Sequence, residues 1–175
     1  MSSATVSLSI PTTRPEVTAA LMVETGLSPD VLRDLGRVLM TEALTTDTWS
    51  DRRRAVAFRD GLIISLLVYR PFRLKNFATL RIGHELVQSA GKWHLVLPRE
   101  DTKNHRPQEA RFPKALLGDF AIYLSRFRPI LLAGEAGCTP SGTDALWVSE
   151  TGTAWDAGAL SHRIADLTQT RLGRR

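Results

Sequence analysis

Residues 60–81 carry the sequence DGLIISLLVYRPFRLKNFATLR, and this stretch decides the fold. Its first half is apolar on every side, which is typical of a helix buried at the centre of a domain. Pro71 disfavours helical geometry at the preceding Arg70, so the helix has to end or restart there. The pattern predicts a long buried helix over residues 51–69, a tight turn and a second short helix. The apolar positions of that short helix are Leu74, Phe77, Ala78 and Leu80.

The chain before this stretch divides at about residue 27. Residues 1–27 contain many Ser and Thr and few charges, and Met1 to Pro11 is expected to be a mobile tail. Thr13 and Glu16 have the spacing of a capping box, which predicts a short helix ending near Gly26. Residues 28–175 are expected to form the globular domain.

The sequence predicts a further helix at the start of this domain. Ser28 is a suitable N-cap, and Pro29 suits the first helical position. Five apolar residues are expected on one face of the helix, namely Val31, Leu32, Leu35, Val38 and Leu39.

The middle of the chain changes from helical to strand periodicity. Three strands are predicted, over residues 84–88, 93–97 and 108–112. An amphipathic helix that begins after Pro113 and ends before Pro129 is expected next, and Asp156 is the predicted N-cap of a last helix over 156–172. The expected fold class is therefore α+β, mainly helical with a small three-stranded antiparallel sheet.

Composition limits the function classes. The single cysteine, Cys138, excludes an intramolecular disulfide and a multi-cysteine zinc site. No apolar run is long enough to cross a membrane and no secretory signal is recognisable, so a cytoplasmic location is expected. Lys and Arg number 23 against 18 Asp and Glu, and only four of the 23 are Lys. An arginine-rich basic domain suits contact with phosphate, although a basic surface without a partner is nearly as good an interpretation.

Two cations are candidates for a functional site. Arg73 lies at the start of the short helix, where a cation opposes the helix dipole unless an anion is bound. Lys103 lies in the polar loop between the second and third strands, where it could reach a bound phosphate. For both residues a solvated surface position is the alternative. No metal site or cofactor is expected, because His84-Glu85 lacks the second histidine of a zinc-protease motif and no nucleotide-binding glycine motif is present.

Together these residues resemble the tyrosine recombinases, or phage-type integrases. In that family a buried helix leads into a turn that bears the first catalytic arginine, and a short helix and a three-stranded sheet follow. The catalytic lysine lies between the second and third strands. Arg73 and Lys103 match these two positions. The resemblance covers about residues 28–175 and departs at Asn76, where the family usually has an acidic residue that supports the arginine. Asn76 can still accept a hydrogen bond and is expected to support Arg73.

The resemblance implies a function in site-specific recombination of double-stranded DNA. Arg73 would stabilise the charge on the scissile phosphate, and Lys103 would protonate the leaving hydroxyl. Contacts to DNA are expected from the residues near these two, which are Arg70, Lys75, Thr102, Asn104 and Arg106.

The resemblance covers only the first half of a catalytic domain. A His-x-x-Arg motif is absent, and Tyr69 and Tyr123 do not match the position of the family's nucleophile. The chain alone is therefore expected to be inactive, although the complete protein would act as an oligomer on DNA in the nucleoid. The alternatives are a non-catalytic remnant that binds DNA or regulates a recombinase, and a basic domain with an accidental likeness.

Overall fold

The computed structural model describes residues 26–70, 72–97, 108–134 and 143–173 of the chain. The fold is mainly helical with one small antiparallel sheet, as the sequence predicts. Its elements in chain order are α1 (Pro29–Thr45), α2 (Asp51–Tyr69), α3 (Leu74–Ala78), β1 (Leu86–Ser89), β2 (Lys92–Leu97), β3 (Gln108–Arg111), α4 (Leu117–Ile122), α5 (Arg128–Leu132) and α6 (Ala157–Leu172).

Helix α2 is the centre of the core. Every residue from Ala55 to Leu67 is buried, so its helical surface is covered on all sides. Ser50 caps the helix through a 3.3 Å hydrogen bond from the Arg53 amide, and Arg70 ends it before Pro71. The predicted bounds of this helix, 51–69, are confirmed.

Helix α1 crosses α2 at two glycines. A Cβ atom on Gly61 would lie 2.5 Å from the carbonyl oxygen of Gly36, and one on Gly36 would lie 2.3 Å from the Ser65 hydroxyl. Both distances are shorter than a van der Waals contact, so the two backbones can approach this closely only without side chains at these positions. Ser28 caps α1 as predicted, accepting a hydrogen bond from the Val31 amide.

The predicted apolar face of α1 is wrong at two of its five positions. Leu32, Leu35 and Leu39 are buried against α2, but Val31 is 39% exposed and Val38 is 48% exposed. The close crossing at Gly36 turns the buried face toward Gly36 and Met40, and this rotation leaves the two valines on the edge of the contact.

The three strands pair in the order β1-β2-β3, with Leu86 opposite Leu95 and His94 opposite Arg111. The first strand begins at Leu86 rather than at the predicted residue 84. The reason is that Glu85 closes a turn, accepting hydrogen bonds from the amide and the guanidinium of Arg81. The third strand ends at Arg111, one residue earlier than predicted.

The helix after Pro113 does not end before Pro129, as the sequence predicts. A 3₁₀ turn over Lys114–Leu116 leads into α4, a π-helical turn over Tyr123–Phe127 follows, and α5 continues through Pro129. Proline has no amide to donate and is tolerated in the first turn of a helix. The π-helical turn changes the hydrogen-bond register just before α5, so that Pro129 stands in its first turn.

Helix α6 begins and ends as the sequence predicts. The Asp156 carboxylate accepts a 2.8 Å hydrogen bond from the Ala159 amide, and Gly173 ends the helix in the left-handed conformation. Among the described residues, no helix has both the length and the hydrophobicity that crossing a membrane requires.

The glycine crossing predicts a specific loss of stability. Replacing Gly61 with Ala should lower the free energy of unfolding by roughly 1–3 kcal/mol, because the methyl group has to displace the α1 backbone. Urea unfolding followed by circular dichroism measures the change. Gly118 is the matched control, since a Cβ there meets no atom within 4 Å. Gly118→Ala should raise stability slightly, and an equal loss in both variants would contradict the crossing as its cause.

Candidate nucleic-acid interface

Arg73 is the N-cap residue of α3 and has an exposed side chain. Its backbone is extended, with φ −60° and ψ 134°, so the residue belongs to the turn and not to the helix. The Arg73 guanidinium forms no hydrogen bond or ion pair with any residue that the structure describes, although the backbone carbonyl accepts a hydrogen bond from the Phe77 amide. A cation without a counter-charge therefore stands directly before the first turn of a helix.

Aromatic contacts hold the short helix α3 in place. Its Phe77 is fully buried and stacks on Trp147, with 5.1 Å between the ring centroids. The indole Nε1 of Trp147 donates a 2.9 Å hydrogen bond to the carbonyl oxygen of Phe77. A five-residue helix has too few internal hydrogen bonds to be stable alone, so these contacts fix the position of Arg73.

Arg70 connects the turn before Arg73 with the sheet. Its Nε and Nη2 atoms donate hydrogen bonds of 3.3 and 3.1 Å to the carbonyl oxygen of Arg111, the last residue of β3. Two of the donors of Arg70, predicted to contact DNA, are therefore engaged within the protein. The same contact brings Arg111 to the segment that bears Arg73.

Cations without carboxylate partners collect around this contact. We call the group the basic junction, and its members are Arg70, Arg73, Lys75, Arg111 and Lys114. None of the five forms an ion pair with a described residue. Of the eleven other arginines that the structure describes, six pair with a carboxylate, as in the pairs of Arg81 with Glu85 and of Arg171 with Glu42. The basic junction is thus a local excess of positive charge.

The structure describes only some of the residues predicted for the site, and gives their positions. It brings together Arg70, Arg73, Lys75 and Asn76, and it buries Asn76, which was predicted to support Arg73. The other predicted residues lie outside the described residues; these are Lys103, Thr102, Asn104 and Arg106. Their segment, residues 98–107, connects β2 to β3, and β3 ends at the basic junction.

Arg111 and Lys114 were not among the predicted site residues. Both have exposed side chains and flank Phe112 and Pro113, where the sheet passes into the next helix. In the sequence they belong to a strand end and a helix start, positions where surface cations are common. Only the contact of Arg70 with the Arg111 carbonyl relates them to Arg73.

An ion triad joins the central helix α2 to α6. The Asp60 carboxylate accepts hydrogen bonds from Arg59 at 2.7 and 3.0 Å and from Arg163 of α6 at 2.6 and 2.8 Å. Arg59 is fully buried, lies over the Trp155 ring and also donates to the Val148 carbonyl. Two adjacent charges inside an apolar helix are the signal in the sequence from which this triad could have been inferred.

The triad keeps its charges paired. Burial alone would lower the pKa of Arg163, but the charge and hydrogen bonds of Asp60 outweigh it, and the pKa is raised. Arg163 therefore stays protonated and joins α6 to α2. This role is structural, because Asp60 is fully occupied by the two guanidinium groups.

Arg53, Arg54 and Tyr123 have structural roles. Arg54 caps the end of α1 by donating to the carbonyl oxygens of Ala43 and Leu44, and Arg53 lies over the Trp49 ring. Tyr123 is fully buried and donates to the Leu146 carbonyl, and burial raises the pKa of its phenol. Within the described ranges, no group of His, Cys, Asp or Glu side chains is arranged to hold a metal ion.

Comparisons of this chain with protein-family models, with curated proteins and with solved structures give no match. The resemblance to tyrosine recombinases therefore stays a prediction that rests on the residues quoted above.

The ion triad predicts that a nearly isosteric change at Asp60 lowers the free energy of unfolding strongly. Asp60→Asn leaves the fully buried guanidinium of Arg59 and the partly buried one of Arg163 without a counter-charge, and should destabilise the fold by roughly 3–5 kcal/mol. Asp34→Asn is the matched control, since Asp34 pairs with Arg37 on the surface of α1 and should contribute less than about 0.5 kcal/mol. Urea unfolding of both variants tests this difference. A loss at Asp60 no larger than that at Asp34 would contradict the structural role of the triad.

Proposed function

We propose that this chain supplies the first half of the catalytic domain of a site-specific DNA recombinase of the tyrosine class. One observation carries the proposal: Arg73 is held at a fixed position and has no carboxylate partner among the described residues. The double-stranded DNA substrate supplies the anion that this arginine lacks.

Phosphate suits the basic junction better than other anions do. Guanidinium groups bind phosphate oxygens through pairs of hydrogen bonds, and successive phosphates of a DNA strand can reach several cations at once. Arg73 and Lys75 are exposed on the segment that follows Arg70, and Arg111 and Lys114 are exposed on the segment whose carbonyl Arg70 contacts.

In the proposed reaction a tyrosine hydroxyl attacks a DNA phosphorus and displaces the 5′-hydroxyl, which leaves a 3′-phosphotyrosine. Arg73 donates hydrogen bonds to the non-bridging oxygens, on which negative charge increases in the transition state. Lys103 gives its proton to the leaving 5′-oxygen. The reverse reaction with a partner strand restores the tyrosine and joins the DNA. The nucleophile and the second arginine come from outside these 175 residues.

The second candidate function is binding of DNA, or regulation of a recombinase, without catalysis. The burial of Tyr123 favours it, because that phenol cannot reach a substrate. The two candidates differ in the effect of Arg73→Ala. In a longer protein that contains the missing groups, the change should abolish recombination in the first case. It should only weaken DNA binding in the second.

Binding to duplex DNA is the first test of the proposal. We expect the 175-residue chain to bind a 30-base-pair duplex with an affinity that falls as salt rises, because phosphate contacts release counterions. Arg73→Ala should weaken binding and reduce the slope of log K against log salt by about 1. Fluorescence anisotropy of a labelled duplex at several NaCl concentrations measures both quantities.

Arg37→Ala is the matched control for this experiment. Arg37 is also an exposed arginine, but it lies on α1 and pairs with Asp34. Its loss should leave the affinity within about twofold, since a surface ion pair contributes little. Affinity that does not change with salt, or an equal loss in both variants, would contradict the proposed interface.

The nucleophilic tyrosine and the second arginine are not identified in this chain, and this leads to a separate prediction. Incubated with a nicked duplex that traps the cleaved state, the chain alone should form no covalent adduct, because Tyr69 and Tyr123 are its only tyrosines and Tyr123 is buried. Denaturing gel electrophoresis detects the adduct. A DNA-linked band that disappears in Tyr69→Phe would contradict this expectation and would make Tyr69 the nucleophile.

A further inference from the structure

An apolar groove of about 310 Å³ lies between α1 and the end of α6. Its apolar lining is Val31, Leu35, Val38 and Leu172, and three of these four side chains are more than a third exposed. The polar residues at its edge are engaged elsewhere, since Asp34 pairs with Arg37 and Arg171 pairs with Glu42. The groove therefore offers an apolar surface, and the two charged side chains that also line it are already paired.

The sequence restricts which part of this chain can cover the groove. Besides residues 1–25, the chain outside the described ranges consists of Pro71, 98–107, 135–142 and 174–175. Those four stretches contain no Val, Leu, Ile or Met. Residues 17–23, by contrast, have the sequence VTAALMV. Only the N-terminal segment can supply large aliphatic side chains to the groove.

The backbone at Gly26 is suited to the end of a helix that precedes α1. Gly26 has a φ of 63°, the left-handed conformation that commonly follows the last turn of a helix. Leu27 is buried and Ser28 caps α1, so only two residues separate Gly26 from the next helix. Connections of this length join antiparallel neighbouring helices.

The positions along the two segments also agree. In a pair of antiparallel helices that turns at Leu27, Val23 would lie opposite Val31 and Ala19 opposite Leu35, because each pair is equally distant from Leu27 in the sequence. Val31 and Val38 are separated by about 10 Å along α1, and residues 16–23 as a helix would extend over about 12 Å. The small side chains of Ala19 and Ala20 would permit a close approach to the groove.

We propose that residues 16–25 form a helix that packs antiparallel to α1 and covers the groove lined by Val31, Val38 and Leu172. This inference does not depend on the proposed function. It gives the two exposed valines of α1 a partner within the same chain.

Hydrogen exchange on the 175-residue chain tests the proposal. An isolated helix of this length is marginal in water, so slow exchange in the segment requires docking. The amides of residues 19–25 should exchange at least tenfold more slowly than in a free peptide of residues 10–26. Val38→Gln should restore the rates of the peptide. Val38 is 48% exposed, so this change should leave the urea midpoint of the domain nearly unaltered.

Leu44→Gln is the matched control. Leu44 is an exposed apolar residue of the same helix, but it does not line the groove, and its replacement should leave the protection unchanged. Exchange at the peptide rate in the unmodified chain would overturn the proposal, as would protection that persists in Val38→Gln or is lost equally in Leu44→Gln. Protection that disappears on tenfold dilution would also overturn it, because a second copy of the chain would then be the occupant.

Discussion

The pairing of the Asp60 carboxylate with Arg59 and Arg163 determines how the helices of the core are arranged. The carboxylate lies in the most buried helix and binds one guanidinium from its own helix and one from α6. Arg59 continues this connection to the Val148 carbonyl, next to the buried Trp147. A buried charge is destabilising unless it is fully paired, so the triad favours a single arrangement of α2, α6 and the segment between them. Hydrophobic contacts alone would tolerate several such arrangements.

The candidate site is built on this arrangement. Trp147 stacks on Phe77 and donates a hydrogen bond to its carbonyl, which fixes the short helix that follows Arg73. Arg70 then joins the same turn to the end of β3. Arg73 thus lies between two segments whose positions are fixed by these contacts, but its guanidinium has no partner among the described residues. A positioned cation of this kind can recognise an anion with little further loss of conformational freedom.

The sequence predicts most of the fold, because local signals determine it. Ser28, Ser50 and Asp156 cap their helices as expected, since a cap depends only on residues within one turn. Two predictions were wrong, namely the helix end before Pro129 and the buried face of α1. The π-helical turn and the crossing at Gly36, which cause the differences, are tertiary effects. In the site, Arg73 was found from its position before a short helix. Arg111 could not be found, since a long-range hydrogen bond from Arg70 relates it to the site.

We propose that the basic junction binds the phosphates of DNA. A titration of the isotope-labelled chain with a short DNA duplex, followed by NMR, tests this proposal directly. The amide signals of Arg70, Arg73, Lys75, Arg111 and Lys114, and the guanidinium signals of the three arginines among them, should shift first and saturate together, while those of Arg33 and Arg37 on α1 stay unchanged. Shifts confined to α1, or none at the basic junction at saturating DNA, would contradict it.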